Sequence, residues 1–234
     1  MSFTSVLVFG FLLGLRHAFE ADHLVAVSTL VTPKRSLWKN IRFGVTWGLG
    51  HSVTLLAVGG VVLILQVSIP PFLELSLEGL VGVMLVGLGL MTLLDCRRRR
   101  IHLHQHTHGG NTHLHFHAHV EGPEHFHQHG GETGWRPLLI GMVHGLAGSA
   151  AVLLLTVATA PSPVESLLYI GSFGCGSILG MGAASLLLGV LFSLMQRHLQ
   201  GANLSLRIAA GATSVALGIW IIYELSLSHA HALV

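Results

Sequence analysis

The chain has 234 residues, 51% of them hydrophobic and 9% charged, where a soluble domain carries about 25% charged residues. The formal net charge is +2 with histidine neutral, so no basic domain is present to bind nucleic acid. A mean hydropathy of +0.69 excludes an ordinary soluble fold and points to an all-α, polytopic integral membrane protein.

Six apolar blocks, approximately 4–31, 43–67, 72–94, 136–160, 164–195 and 203–226, are each long enough to cross a hydrocarbon core of about 30 Å. The first has no basic n-region and no small-residue cleavage site, so it reads as a span and not as a signal peptide. It contains GLRHAFEADHLVAVST, beginning at Gly14, where Arg16, His17, Glu20, Asp22 and His23 interrupt an otherwise aliphatic run. A charge at the middle of a membrane helix costs roughly 2.5–3.5 kcal/mol on insertion scales. Arg16 and Glu20, four residues apart, stand on one helical face and offset part of this. Intramembrane ionisable groups mark ion pathways. Imidazole nitrogen with carboxylate oxygen, and no thiolate, suits Ni²⁺, Co²⁺ or Zn²⁺ and disfavours Cu(I). A regular helix turns Asp22 away from the stripe of His17, Glu20 and His23. Either the helix unwinds there, or the ligands form two successive stations.

The second and fourth blocks each carry a histidine in apolar surroundings, His51 in GLGHSVT and His144 in GMVHGLAGS. Each reads as a ligand, as a partner that orients a ligand, or as a hydrogen-bonded packing residue. Shifting the chain by 127 residues brings Gly14, His17, Thr29 and Thr32 onto Gly141, His144, Thr156 and Thr159. Shifts of 126 and 129 bring Gly48 and Gly50 onto Gly174 and Gly176, and Gly82 and Gly89 onto Gly211 and Gly218. Two halves of three helices must enter the membrane from opposite sides, which is the inverted repeat of many secondary transporters. The expected organisation is a first repeat over 1–95, a connecting loop over 96–135 and a second repeat over 136–234.

Lys and Arg set the expected orientation. Lys34, Arg35, Lys39 and Arg42 lie after the first block, Arg97 to Arg100 and Arg136 flank the third connection, and Arg197 and Arg207 lie at the fifth. With six spans these positions share one side, which the positive-inside rule makes cytoplasmic, with both termini outside. The expected location is the cell (inner) membrane. Cys96 and Cys175 fit no disulfide framework or Cys/His zinc pattern.

The connection over 96–135 holds eleven of the 18 histidines: His102, His104, His106, His108, His113, His115, His117, His119, His125, His127 and His129. Their alternation has no helical period, and with Gly pairs at 109–110 and 130–131 the segment reads as a flexible cytoplasmic loop. Neutral imidazoles in such number bind divalent transition metals weakly at many sites, with affinity falling below about pH 6.5. Such a loop accepts an incoming ion and passes it to a maturation protein, or collects surplus ion for expulsion.

RHAFEADH resembles the H-x4-D-H signature of the nickel/cobalt transporters, and GHS in the second block resembles their second motif. The overall pattern, including GMVHGLAGS, is most similar to the urease-accessory, UreH-like members of that superfamily. The resemblance implies that His17, Asp22 and His23 bind the transported metal, that His51 contributes, and that imported ion serves metalloenzymes such as urease. Glu20 stands where the pattern often has Asp, and the eight helices and second acidic motif of the larger members have no counterpart.

The expected function is a secondary transporter of Ni²⁺ or Co²⁺, with the metal as substrate, no bound cofactor and no enzymatic activity. The absence of G-x-x-x-x-G-K-[ST] excludes intrinsic ATP hydrolysis by that motif. The expected metal site comprises His17, Asp22, His23, His51, Glu20 and His144. Expected partners are the lipid bilayer and a cytoplasmic metallochaperone or urease-maturation protein. The alternatives are an exporter with the same site, a membrane-bound metal buffer or sensor, and a membrane metalloenzyme, which lacks an HExxH pair.

Overall fold

A computed structural model describes residues 3–31, 36–65, 70–98, 101–108, 111–118, 135–146, 162–198 and 202–232. Helices dominate: α1 (Phe3–His17), α2 (Ala21–Leu30), α3 (Leu37–Leu65) and α4 (Pro71–Arg98), α5 (135–146), then α6 (Pro163–His198) and α7 (Ala202–Ala232). Four of them, α3, α4, α6 and α7, are long and apolar enough to cross a membrane, and the bent pair α1 and α2 makes a fifth candidate. The protein is therefore a helical integral membrane protein. Six spans were expected. The fourth, at 136–160, falls largely outside the described residues, which show only its first turns as α5.

In the first block the helix is interrupted, one of the two alternatives its charged cluster left open: α1 and α2 meet at a 52° bend. One further expectation is corrected, since the described chain is not purely α-helical. The histidine-rich connection contains β1 (Ile101–His108) and β2 (Asn111–Ala118), an antiparallel ribbon in which His102, His104 and His106 stand opposite His117, His115 and His113. A histidine at every second residue follows the two-residue repeat of a strand. His119, His125, His127 and His129 lie outside the described residues.

The bundle is arranged for lipid. Ile64, Val53, Leu179 and Trp220 are more than half exposed, whereas His23, His51, Asn40, Ser177 and Ser185 are buried. Hydrocarbon tails are as apolar as leucine, so close backbone approach and interhelical hydrogen bonds hold such a bundle together. Helix α3 runs antiparallel to α6, with Gly44 against Met181 and Ser185 and Gly48 against Ile178. The Ser52 hydroxyl donates to the Gly174 carbonyl on this seam at 3.0 Å. Helix α1 runs parallel to α6, tied by Ser172 to the Leu7 carbonyl at 2.7 Å and Ser177 to the Gly14 carbonyl at 3.2 Å. Helices α4 and α7 are antiparallel, with Ser214 donating to the Leu85 carbonyl at 2.7 Å.

Glycines set the closest approaches. A side-chain carbon at Gly14 would strike the Phe173 carbonyl, and one at Gly141 the Trp47 carbonyl. Gly176 abuts the Phe11 carbonyl, and Gly50 the Leu138 carbonyl. Gly82 packs on Gly218, and Gly211 on Gly89.

Candidate metal centre

The bend in the first span creates the site. Phe19 N–H donates to the Arg16 carbonyl at 2.9 Å and Glu20 N–H to the His17 carbonyl at 3.0 Å, so α1 closes in tight three-residue turns and stops. Glu20 then has extended backbone and α2 begins at Ala21. His17 thus becomes the last residue of α1, while Asp22 and His23 occupy the first turn of α2. The helix interruption removes the angular conflict that separates Asp22 from the histidines on a continuous helix. Asp22 is held in place as an acceptor at a helix N-terminus, where free backbone N–H groups and the helix dipole favour negative charge. Its Oδ1 accepts the His23 backbone N–H at 2.9 Å.

Helices α3 and α5 supply the remaining groups, bringing His51 and His144 to the bend. The ring centroids of His17 and His23 are 4.6 Å apart, those of His17 and His51 5.3 Å, and those of His23 and His51 5.4 Å. His144 lies 4.0 Å from His23. His23, His51 and His144 are almost wholly buried. These residues form two groups with metal-ligand spacing, one of His17, His23 and His51 and the other of Asp22, His23 and His144. Within each, the ligand atoms lie within 4.8 Å of one another, and His23 belongs to both.

The hydrogen bonds determine which nitrogens are free. His17 Nδ1 faces Glu20 Oε2 at 3.0 Å, and His23 Nδ1 faces Asp22 Oδ1 at 3.0 Å. A neutral imidazole that donates Nδ1–H to a carboxylate presents its lone pair at Nε2. The Nε2 atoms of both residues are buried with no protein partner, and so are both nitrogens of His51. Carboxylate bonding fixes the tautomer and increases the basicity of a ligating imidazole. Three nitrogen donors in a water-excluded site suit a borderline divalent ion. The second carboxylate oxygen, Asp22 Oδ2, faces His144 Nε2 at 2.9 Å, leaving His144 Nδ1 without a partner. Two carboxylates, Glu20 and Asp22, supply the negative charge that a dication in apolar surroundings requires.

The structure therefore brings His17, Asp22, His23, His51 and His144 together. Glu20 is in neither ligand group, is half exposed, and is bonded to His17; it does not pair with Arg16 as its helical spacing suggested, since the turn that carries it leaves the helix. Trp47 was missed. It is fully buried, with its ring centroid 6.1 Å from that of His23 and 5.7 Å from that of His144. Its position one helical turn before His51 was the available signal.

The chain is 38% identical over 224 residues to the urease accessory protein UreH of Bacillus sp. (strain TB-90), covering 96% of this chain and 93% of that protein. The chain belongs to the UreH family. This bears out the resemblance to the urease-accessory members of the nickel/cobalt transporter superfamily. It also agrees with the expectation of no enzymatic activity, since the relative is named as an accessory protein. No family model and no solved structure matches the chain.

Proposed function

We propose that this UreH-family protein is a secondary transporter that takes up Ni²⁺, with Co²⁺ as the other cargo its ligands accept, for delivery to metalloenzymes such as urease. The observation that carries this reading is the set of buried, unpartnered imidazole nitrogens on His17, His23 and His51 at the break in the first span. Packing alone leaves these four nitrogens unpaired inside a membrane protein, which is costly; a divalent ion takes one nitrogen from each ring and so satisfies three of the four at once. The relative's urease accessory name supports nickel as the cargo.

Contacts recurring in pairs support the inverted repeat. Gly14 on the Phe173 carbonyl and Gly141 on the Trp47 carbonyl are one contact repeated at offsets of 127 and 126, as are Gly176 on Phe11 and Gly50 on Leu138. Gly82 on Gly218 and Gly211 on Gly89 repeat at an offset of 129. Two halves so related rock about a central site to expose it alternately. On the positive-inside rule the ends with Lys39, Arg42 and Arg97 face the cytoplasm of the cell membrane and both termini face out. The histidine-rich connection then lies on the cytoplasmic side, where it collects metal for a maturation protein.

The test is Ni²⁺ flux into proteoliposomes. Wild-type protein carries the ion, and His17→Ala and His51→Ala each abolish flux. Undiminished flux in both variants removes the proposed site.

A further inference from the structure

Helix α3 buries Asn40, Gly44, Trp47 and His51, a 4-3-4 spacing that keeps them on one face. Asn40 and Gly44 on that face pack on α6, whereas Trp47 and His51 lie against Gly141 and Gly145 of α5. His51 belongs to the metal centre, and Asn40 stands eleven positions earlier, about 16 Å away along the helix axis. Asn40 is fully buried although Lys39 and Arg42 beside it are exposed. Both polar atoms of its amide lack a protein partner, as do Trp47 Nε1 and the hydroxyl of Ser185 on α6. Ser185 is also fully buried.

These groups fall on neighbouring turns of one seam. Asn40 Nδ2 lies directly against Gly189, where any side chain would collide with it, and Gly44 lies against Ser185 one turn further in. Gly48 follows, against Ile178 and the Met181 sulfur. Serines elsewhere between the helices behave differently. Half-buried Ser52 and Ser172 and buried Ser177 and Ser214 each donate to a carbonyl of a neighbouring helix. Among the described residues Ser185 carries the one buried hydroxyl left without a partner, and with Asn40 it lies between the metal centre and the end of α3 with Lys39 and Arg42.

We infer that Asn40 and Ser185 line the passage by which the divalent cation moves between the histidine centre and that end of the bundle. The inference rests on the transport reading above. An amide and a hydroxyl offer neutral oxygen, which holds borderline divalent ions less strongly than imidazole does. Such groups replace part of the ion's hydration without trapping it, and conduction requires weak, successive sites of this kind. In the structure the seam is closed by Gly44, Gly48 and Gly189. When α3 and α6 part, the amide and hydroxyl face the opened path.

The experiment compares equilibrium Ni²⁺ binding by the full-length protein in detergent with Ni²⁺ flux in proteoliposomes for Asn40→Leu, Ser185→Ala and Asn40→Ser. The expected result is unchanged binding affinity in all three. Flux falls about tenfold in Asn40→Leu, the kinetic equivalent of one lost hydrogen bond to a partly dehydrated ion, falls less in Ser185→Ala, and stays near wild type in Asn40→Ser. Wild-type flux in both Asn40→Leu and Ser185→Ala overturns the inference. Parallel loss of binding and flux in both also overturns it, because it assigns the two groups to packing. Failure of the transport reading is separately visible, as wild-type protein that carries no Ni²⁺ or as His51→Ala with full flux.

Discussion

His17 and His23 each spend one ring nitrogen on a carboxylate and keep the other free and buried. Glu20 and Asp22 therefore each bond a candidate ligand, and Asp22 also stands within ligand spacing of His23 and His144. Removing an orienting carboxylate typically costs 10- to 100-fold in metal affinity. Glu20→Gln, which keeps the shape but loses the charge, is expected to weaken Ni²⁺ binding by about tenfold in calorimetric titration. Asp22→Asn is expected to cost more, since Asp22 contacts both His23 and His144. Equal affinity in both variants would separate the carboxylates from the metal. RHAFEADH announced these residues because charge in an apolar run is conspicuous. The division into ligand and orienting partner was not legible, because it depends on which nitrogen each imidazole points inward, and that is set by the bend and by α3 and α5. Trp47 was hidden for the opposite reason: a tryptophan in a membrane helix draws no notice until its neighbours are known.

At the scale of helices, glycine positions control how closely the spans approach. A side chain at Gly50 would overlap the Leu138 carbonyl and one at Gly141 the Trp47 carbonyl, so substitution must push α5 away from α3 and draw His144 from the centre. Gly141→Val is expected to destabilise the protein by about 1–3 kcal/mol, the usual cost of overpacking, and to lower metal affinity. Gly87, where an added side-chain carbon would meet nothing within 4 Å, is the control. Gly87→Ala is expected to keep or slightly raise thermal stability in detergent, as alanine is the better helix former by about 1 kcal/mol. Equal destabilisation of both variants would contradict the packing account. The apolar blocks overlap α3, α4, α6 and α7, while the end of the fourth block lies outside the described residues. The ribbon of β1 and β2 was not recognised, although histidine at every second position from His102 to His108 has the period of a strand, because the run is too polar to resemble a buried one.

For the whole molecule, the proposed function divides the labour between an intramembrane centre that holds the ion and a histidine-rich segment that collects it. Deleting 102–129 is expected to lower metal retention by the purified protein while leaving flux intact, and complete loss of flux would refute the division. Retention by this segment is expected to fall as pH drops through about 6.5, because protons compete for the imidazole lone pairs. Orientation has its own test. Single cysteines at Lys39 and Gln105, in a background lacking Cys96 and Cys175, are expected to react with an impermeant thiol reagent only from the cytoplasmic side of membrane vesicles. Reaction of the two from opposite sides would break the six-span topology. Glycine stands at each of these close contacts because no larger residue fits, and these glycines are among the positions that offsets of 126 to 129 residues bring together in the sequence.

The central claim is that imidazole nitrogens of the first and second spans hold the ion. X-ray absorption at the nickel edge, on protein purified with one equivalent of Ni²⁺ and with residues 102–129 deleted, tests it most directly. The expected result is a nitrogen-rich coordination shell with imidazole scattering that diminishes in His51→Ala. A shell of oxygen alone, or one that His51→Ala and His23→Ala leave unchanged, would contradict it.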